Sequence, residues 1–376
     1  MIQTVVNKRT KLLAVIFPVY SFFGILYAWS QYGTVVPHLR AFFQLLQGII
    51  AVILGLMFVD SSPKFNSILS YLTCVFIGSL SLIKLHDPRL ILFFMFSFAS
   101  IGVNYIQVLK NDLYVKVLAL FVILIGYLIG VLQNVTLFRA NSDVIRNTYG
   151  FNHPNFLSML VMIIMMEFII VNFKKYNAIT MIIFLFIIVI IKKITDARAE
   201  AILSGVAVVS SWFLKNKNNI YKIRIFRWIY ILFPEILAIF SFYALIKGKI
   251  GTKLYTFFST VSSGRLDIIQ DFYNKSSGIH LWPEYIFNQY KADGFGIDNA
   301  YLYLLISFGL ASLVVFCIIE SIFIYRYLKY KDYLMLTMLL LILILGIVES
   351  PIVYPYLSFY AVSFGINHNY EKSKGY

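Results

Sequence analysis

The chain reads as an all-α, polytopic membrane protein, one integral membrane domain over residues 1–376, and three observations say so. The first is composition: 60% of residues are hydrophobic, 18% aromatic and only 13% charged, with a mean hydropathy of +0.81. Soluble domains average about 45–50% apolar residues and have no way to cover such a surplus. The second is periodic: apolar runs near the ~20-residue membrane-spanning length follow one another along the whole chain. The third is the exception, one polar, aromatic and charged stretch over residues 248–297, far longer than the other connections, of which only residues 134–153 reach about twenty residues.

In order, the apolar segments fall at about 12–29, 39–59, 67–84, 90–108, 114–133, 154–173, 177–192, 198–214, 227–247, 299–325, 333–348 and 351–366, predicting about twelve transmembrane helices. The first follows a basic lead, Met1 to Lys11, and no small-residue cleavage site comes after it, so it reads as a retained helix. The last carries Pro351 and Pro355, which leave a re-entrant hairpin open as its alternative. Cys74 and Cys317 both sit inside apolar runs and form no zinc spacing or disulfide framework.

Charge sets the expected orientation. With the N-terminus inside, eighteen of the 32 Lys and Arg residues fall on the inner side; six more lie in or beside the 248–297 loop, leaving eight on the outer side. Short loops govern orientation, so both termini are expected in the cytoplasm and the long loop outside it. This bias also accounts for most of the +15 net charge, which in a soluble chain would suggest nucleic acid. No nucleic-acid partner is expected. Basic residues on the outer side run against the bias and each needs a reason; Arg139, Arg146, Arg198 and Arg265 are the ones to ask about.

Four stretches carry candidate chemistry, all at expected outer ends. Gly150-Phe151-Asn152-His153-Pro154-Asn155 opens a helix, with Pro154 at a position where its missing N–H costs nothing. His153 there is either a bare surface histidine or a ring that holds a sugar hydroxyl or a phosphate. Thr195-Asp196-Ala197-Arg198 joins two spans; Thr195 or Asp196 suits a helix cap. Arg198 in a first helical turn opposes the helix dipole, so it calls for an anionic partner: Asp196, Glu200 or an anionic ligand. In the long loop, Ser263-Gly264-Arg265 joins a flexible turn to an arginine, with Asp267 and Asp271 as local pairing alternatives. Trp282, Tyr285 and Tyr290 suit an interfacial belt or sugar stacking. Asp298-Asn299 opens the tenth span, as a helix cap or as a carboxylate placed for general-base work.

Other chemistries find no support. There is no Gly-rich phosphate loop and no HExxH. The first outer loop, Ser30 to His38, has no acidic residue for an Asp-x-Asp metal site, and no metal or cofactor is expected. Glu167, Glu235 and Glu320 are the main ionisable residues at mid-span, fewer than ion-coupled transporters usually carry.

In this order the four motifs resemble those of the Wzy-type O-antigen and exopolysaccharide (capsular) polymerases, in the O-antigen ligase/polymerase superfamily. Members carry Gly-x-x-His-Pro-Asn (here Gly150 to Asn155), Thr-x-Ser-Arg (here Thr195 to Arg198, with Ala197 for serine), Ser-Gly-Arg (Ser263 to Arg265) and (His or Asp)-Asn-x-x-Leu (Asp298 to Leu302), followed by Gly309. The resemblance covers roughly residues 130–325. Asp298 stands where ligases typically have histidine, which favours polymerase over ligase.

What the resemblance implies is a GT-C-like glycosyltransferase of the bacterial cytoplasmic (inner) membrane that joins undecaprenyl-diphosphate-linked oligosaccharide repeat units at the outer face. Arg198 and Arg265 would stabilise the departing diphosphate, with Arg139 and Arg146 supporting lipid-diphosphate binding; arginine is permanently charged and bidentate to phosphate. Asp298 would be the base and His153 would orient the acceptor. Asn155, Ser263, Asn299 and Tyr301 complete the expected substrate-binding set. Membrane lipid, a flippase and a chain-length regulator are the implied partners. The alternatives are a ligase, whose acceptor is a finished lipid core or a protein, and, from a different class, a lipid-linked oligosaccharide flippase or permease.

Overall fold

The computed structural model describes residues 2–138, 145–216, 224–247, 269–270, 273–274, 278–284 and 297–364. These residues are overwhelmingly helical. In chain order the helices are α1 (Ile2–Gly24), α2 (Tyr32–Val35), α3 (Leu39–Asp60), α4 (Phe65–Leu85), α5 (Arg89–Ala99), α6 (Tyr105–Leu128), α7 (Pro154–Val171), α8 (Ala178–Thr195), α9 (Arg198–Asn216), α10 (Arg224–Ile231), α11 (Phe233–Lys247), α12 (Ala300–Tyr303), α13 (Gly309–Lys329) and α14 (Tyr333–Leu345). A two-stranded antiparallel hairpin, β1 (Thr136–Phe138) and β2 (Ile145–Asn147), lies between α6 and α7.

Among the described residues, six helices are long and apolar enough to cross a membrane: Lys8–Trp29, Leu39–Asp60, Phe65–Leu85, Pro154–Val171, Ala178–Thr195 and Ala300–Lys329. The chain is thus a helical, membrane-embedded protein. Helices α6 and α9 are also long, 24 and 19 residues, but each carries three charged residues.

Several elements differ from the sequence expectation, for local reasons. The fourth expected span stops at Ala99 after 11 residues, because Gly102 takes a left-handed φ of +77° and turns the chain. The ninth breaks into α10 and α11 around Leu232, where Pro234 cannot continue the helix it follows. The stretch after Pro351 forms two short 3₁₀ turns, Pro351–Val353 and Phe359–Ser363, in place of a continuous helix. Pro355, at the fifth position of that expected span, withholds an N–H that a continuous helix would use.

The chain divides into two compact units. The first comprises Met1–Ser67, Met95–Asn218 and Pro355–Tyr376. Its centre is α1, α6 and α7. Of the most apolar window of α7, 72% is buried, against 6% for α8, although the two helices are similarly apolar overall. In lipid an apolar helix needs no covered face, so α8 presents Ile179, Ile182, Phe186 and Val189 outward. One end of this bundle is tied by Arg9 donating to the Ala99 carbonyl (2.9 Å) and Lys215 donating to the Lys174 carbonyl (2.8 Å). The other end holds the turns after α1, α6 and α8 and the start of α7.

The second unit comprises Ile68–Phe94 and Asn219–Tyr354. Helix α13 runs antiparallel to α11 and α14: Ser321, late in α13, donates to Glu235, early in α11 (2.8 Å), and Asp332 caps α14. The 30-residue span Ala300–Lys329 is interrupted by a π turn, Leu304–Phe308, and by Gly309 at φ +84°. Residues 280–284 fill that break. The His280 and Leu281 carbonyls accept the N–H groups of Leu310 (2.8 Å) and Ala311 (3.1 Å) at the start of α13. A side chain on residue 309 would sit 2.7 Å from the Leu281 carbonyl oxygen. Part of the stretch expected as the long outer loop is therefore docked beside the span, roughly 15 Å along it from Asn299 at 1.5 Å per residue.

Candidate functional site

Within the first unit, four chain segments converge at the end opposite Arg9 and Lys215. The turn after α1 is knitted to the Gly150 motif. Gln31 and Gln133 exchange hydrogen bonds (Nε2 to the Gln133 carbonyl, 2.9 Å; Gln133 N–H to Oε1, 2.7 Å). The Gln31 N–H donates to the Gly150 carbonyl (3.1 Å) and the Asn152 N–H to the Trp29 carbonyl (2.9 Å). Trp29 stacks flat on Phe156 of α7, with centroids 4.8 Å apart. Gly150 itself has φ +84° and lies against Leu132, so its backbone geometry suits glycine alone.

Arg146 on β2 is the point at which two of the sequence motifs meet. Its Nε donates to the Thr195 carbonyl (2.8 Å) at the C-terminus of α8, and its NH2 donates to the Asn155 side-chain oxygen at the start of α7. Asn155 is 4% exposed, so it serves here as an acceptor fixed by the protein. The carbonyl of Thr195 belongs to the last turn of α8, where orphan acceptors and the negative end of the dipole favour a cation. His153 caps α7: its Nδ1 accepts the Asn155 N–H (3.2 Å), and Pro154 takes the first helical position. Asp196 adopts a left-handed φ of +48° that ends α8. Arg198 follows, with its Nε 3.6 Å from Asp196 and its side chain 60% exposed. A separation that long in that exposure is worth little as an ion pair. Below this group, a cavity of about 10 Å³ lined by Ser158, Ile188, Ala201 and Ser204 has room for a single water.

The second unit gathers a separate set of groups around Arg89, at the N-terminus of α5. Its Nε lies 2.7 and 2.8 Å from the two Asp87 carboxylate oxygens, and its NH2 reaches both Asp87 and the Tyr303 hydroxyl. The guanidinium also lies 4.4 Å from the Tyr354 ring centroid. Asp298, half-buried, is within electrostatic reach of Tyr354. Asn299 caps α12 by accepting the Leu302 N–H (2.9 Å), and its Nδ2 donates to Ser241 (3.0 Å) and to the Ile347 carbonyl (2.9 Å). Tyr301 is fully buried and donates to the Leu343 carbonyl (2.9 Å). Asn299 and Tyr301 are thereby engaged in holding the start of α12 to the end of α14.

The expected site residues thus fall into two groups. Arg146, His153, Asn155 and Arg198 lie in the first unit; Asp298, Asn299 and Tyr301 lie in the second. Arg139, Ser263 and Arg265 fall outside the described residues. Sequence reasoning passed over Gln31, which organises the Gly150 turn, and the Asp87–Arg89–Tyr303–Tyr354 group. Arg89 was legible in principle as one of the eight basic residues that the sidedness count leaves on the less basic side, with Asp87 two positions before it.

No family model, no curated protein and no solved structure matches the chain.

Proposed function

We propose that the chain is a polysaccharide polymerase: a metal-independent, inverting glycosyltransferase that joins undecaprenyl-diphosphate-linked oligosaccharide repeat units. It works at the outer face of the bacterial cytoplasmic membrane, with a twelve-span, GT-C-like architecture and both termini inside. The observation that supports this reading best is Arg146, which ties Asn155 of one motif to Thr195 of another.

In this reading Arg198 and Arg265 meet the departing diphosphate, while Arg139 and Arg146 support binding of the lipid-linked unit. Each such preorganised donor contributes about 10²–10³ in rate. Asp298 takes the proton of the attacking hydroxyl, worth about 10²–10⁴, and His153 orients the acceptor. A single displacement inverts the anomeric carbon. The flippase that delivers the units and a chain-length regulator are the expected partners.

The test is purified protein given a synthetic undecaprenyl-diphosphate repeat unit in EDTA, with products resolved by gel. A ladder that disappears in Arg265→Ala and Asp298→Asn supports the polymerase. Lipid-linked units crossing proteoliposomes without any ladder would replace it with a transporter.

A further inference from the structure

Asp112 and Lys116 on α6 and Glu167 on α7 form a charge cluster whose side chains are all 0% exposed. Lys116 Nζ sits 2.5 Å from Asp112 Oδ2, donates to Glu167 Oε1 as well, and lies 5.9 Å from the centre of the Phe17 ring of α1. The remaining oxygens, Asp112 Oδ1 and Glu167 Oε2, are buried without a hydrogen-bond partner. Lys116 and Asp112 are the charged groups that act on Glu167. Buried charges persist only when paired and hydrogen-bonded, and ionisable groups at membrane depth mark functional sites by default. Two carboxylates against one ammonium leave a surplus of one negative charge, with two orphaned oxygens to carry it. From α1, the Phe17 ring lies against Lys116 and brings no charge to the cluster.

We propose that this cluster is a binding site for one proton, held on the Asp112/Glu167 carboxyl pair. The proton comes from solvent and forms an O–H bond on one carboxylate, so that the buried group is a neutral set: one ammonium, one carboxylate and one carboxylic acid. It clamps α6 to α7 without a counter-ion. This inference is independent of the polymerase reading, since it concerns a cluster that the proposed chemistry does not use.

The experiment is infrared difference spectroscopy on the purified full-length chain near neutral pH, following the carbonyl stretch of un-ionised carboxylic acid. Wild type minus Glu167→Gln and wild type minus Asp112→Asn should each show loss of the same single acid band. Removing either carboxyl leaves the other ionised in a one-to-one pair with Lys116, so both variants should keep the wild-type melting temperature. Lys116→Gln should gain acid signal or fail to fold; the two carboxyl variants decide the matter in either event. The proposal is overturned if the difference spectra contain only ionised carboxylate bands. It is equally overturned if melting rises with sodium concentration in the wild type and not in the two variants, which would make the ligand a monovalent cation.

Discussion

Arg146 and Arg89 each anchor one end of a compact unit, and they are held in different ways. Arg146 takes an amide oxygen nine residues away and a backbone carbonyl 49 residues away. Arg89 takes both oxygens of a carboxylate two residues away, and a tyrosine hydroxyl 214 residues away. An amide and a carbonyl fix the direction of an arginine as joints between elements. A bidentate carboxylate spends the charge on a local pair. The difference teaches that placement on the less basic side of the membrane selects arginines worth asking about, while their partners decide what each one is for. Removal of Arg146 should cost activity beyond stability; removal of Arg89 should cost stability first.

The largest expected effect is on the Arg146 side. Arg146→Ala should slow polymer-ladder formation by about 10²–10³ while the protein still elutes as folded in size exclusion, and Arg146→Lys should recover little. Equal loss of folded protein in the Arg146 and Arg89 variants would erase the contrast. Next, Arg89→Ala leaves Asp87 only the backbone N–H of residue 89 in place of the guanidinium and should lower stability by about 1–3 kcal/mol, measured by thermal unfolding in detergent. Adding Asp87→Asn to that variant should recover part of the loss; no recovery would mean that the tyrosine contacts, and not the ion pair, carry the energy. Third, Gly309→Ala puts a side chain against the Leu281 carbonyl at a left-handed φ and should cost about 1–2 kcal/mol. Limited proteolysis should then reach residues 280–284 faster than in the wild type, and an unchanged cleavage rate would argue against the docked segment. The smallest effect serves as a control away from both arginines. Tyr176→Phe deletes a buried hydrogen bond to the Val208 carbonyl (2.9 Å) and should cost about 1 kcal/mol with no change in ladder formation.

Much of the fold was legible because it rests on local signals. Apolar length located α3, α4, α7 and α8 to within a few residues, and Pro154 marked the start of α7; α1 begins ten residues before its apolar run, inside the basic lead. The misread elements are those in which a short-range breaker competed with a long apolar run. Gly102 and Pro234 each broke a helix that hydropathy alone would have continued, and Pro355 falls inside the last apolar run, which forms short 3₁₀ turns instead. Of the candidate site, the two motifs of the first unit were visible as motifs, but their meeting at Arg146 was not. Nothing in Asn155 or Thr195 announces a shared partner on a hairpin strand. The Arg89 group was missed for the opposite reason: Asp87 is adjacent, so the pair looks like an ordinary surface contact until Tyr303 and Tyr354 close around it. The triad on α6 and α7 shows the same limit, since Glu167 is one acidic residue in an apolar helix until Lys116 is seen beside it.

By itself the sequence determined that this is a membrane-embedded helical protein, where most of its helices begin and end, and which basic residues run against the orientation bias. These are one-dimensional properties: transfer of apolar side chains out of water, and the φ angles open to glycine and proline, depend on a residue and its near neighbours. Only the tertiary structure decided which charges are paired, which polar side chains are spent on capping, and that a stretch of the long loop docks into the broken span at Gly309. Those outcomes depend on groups tens to hundreds of residues apart sharing one small volume of low dielectric, where the identity of the neighbour, more than the residue itself, sets the energy.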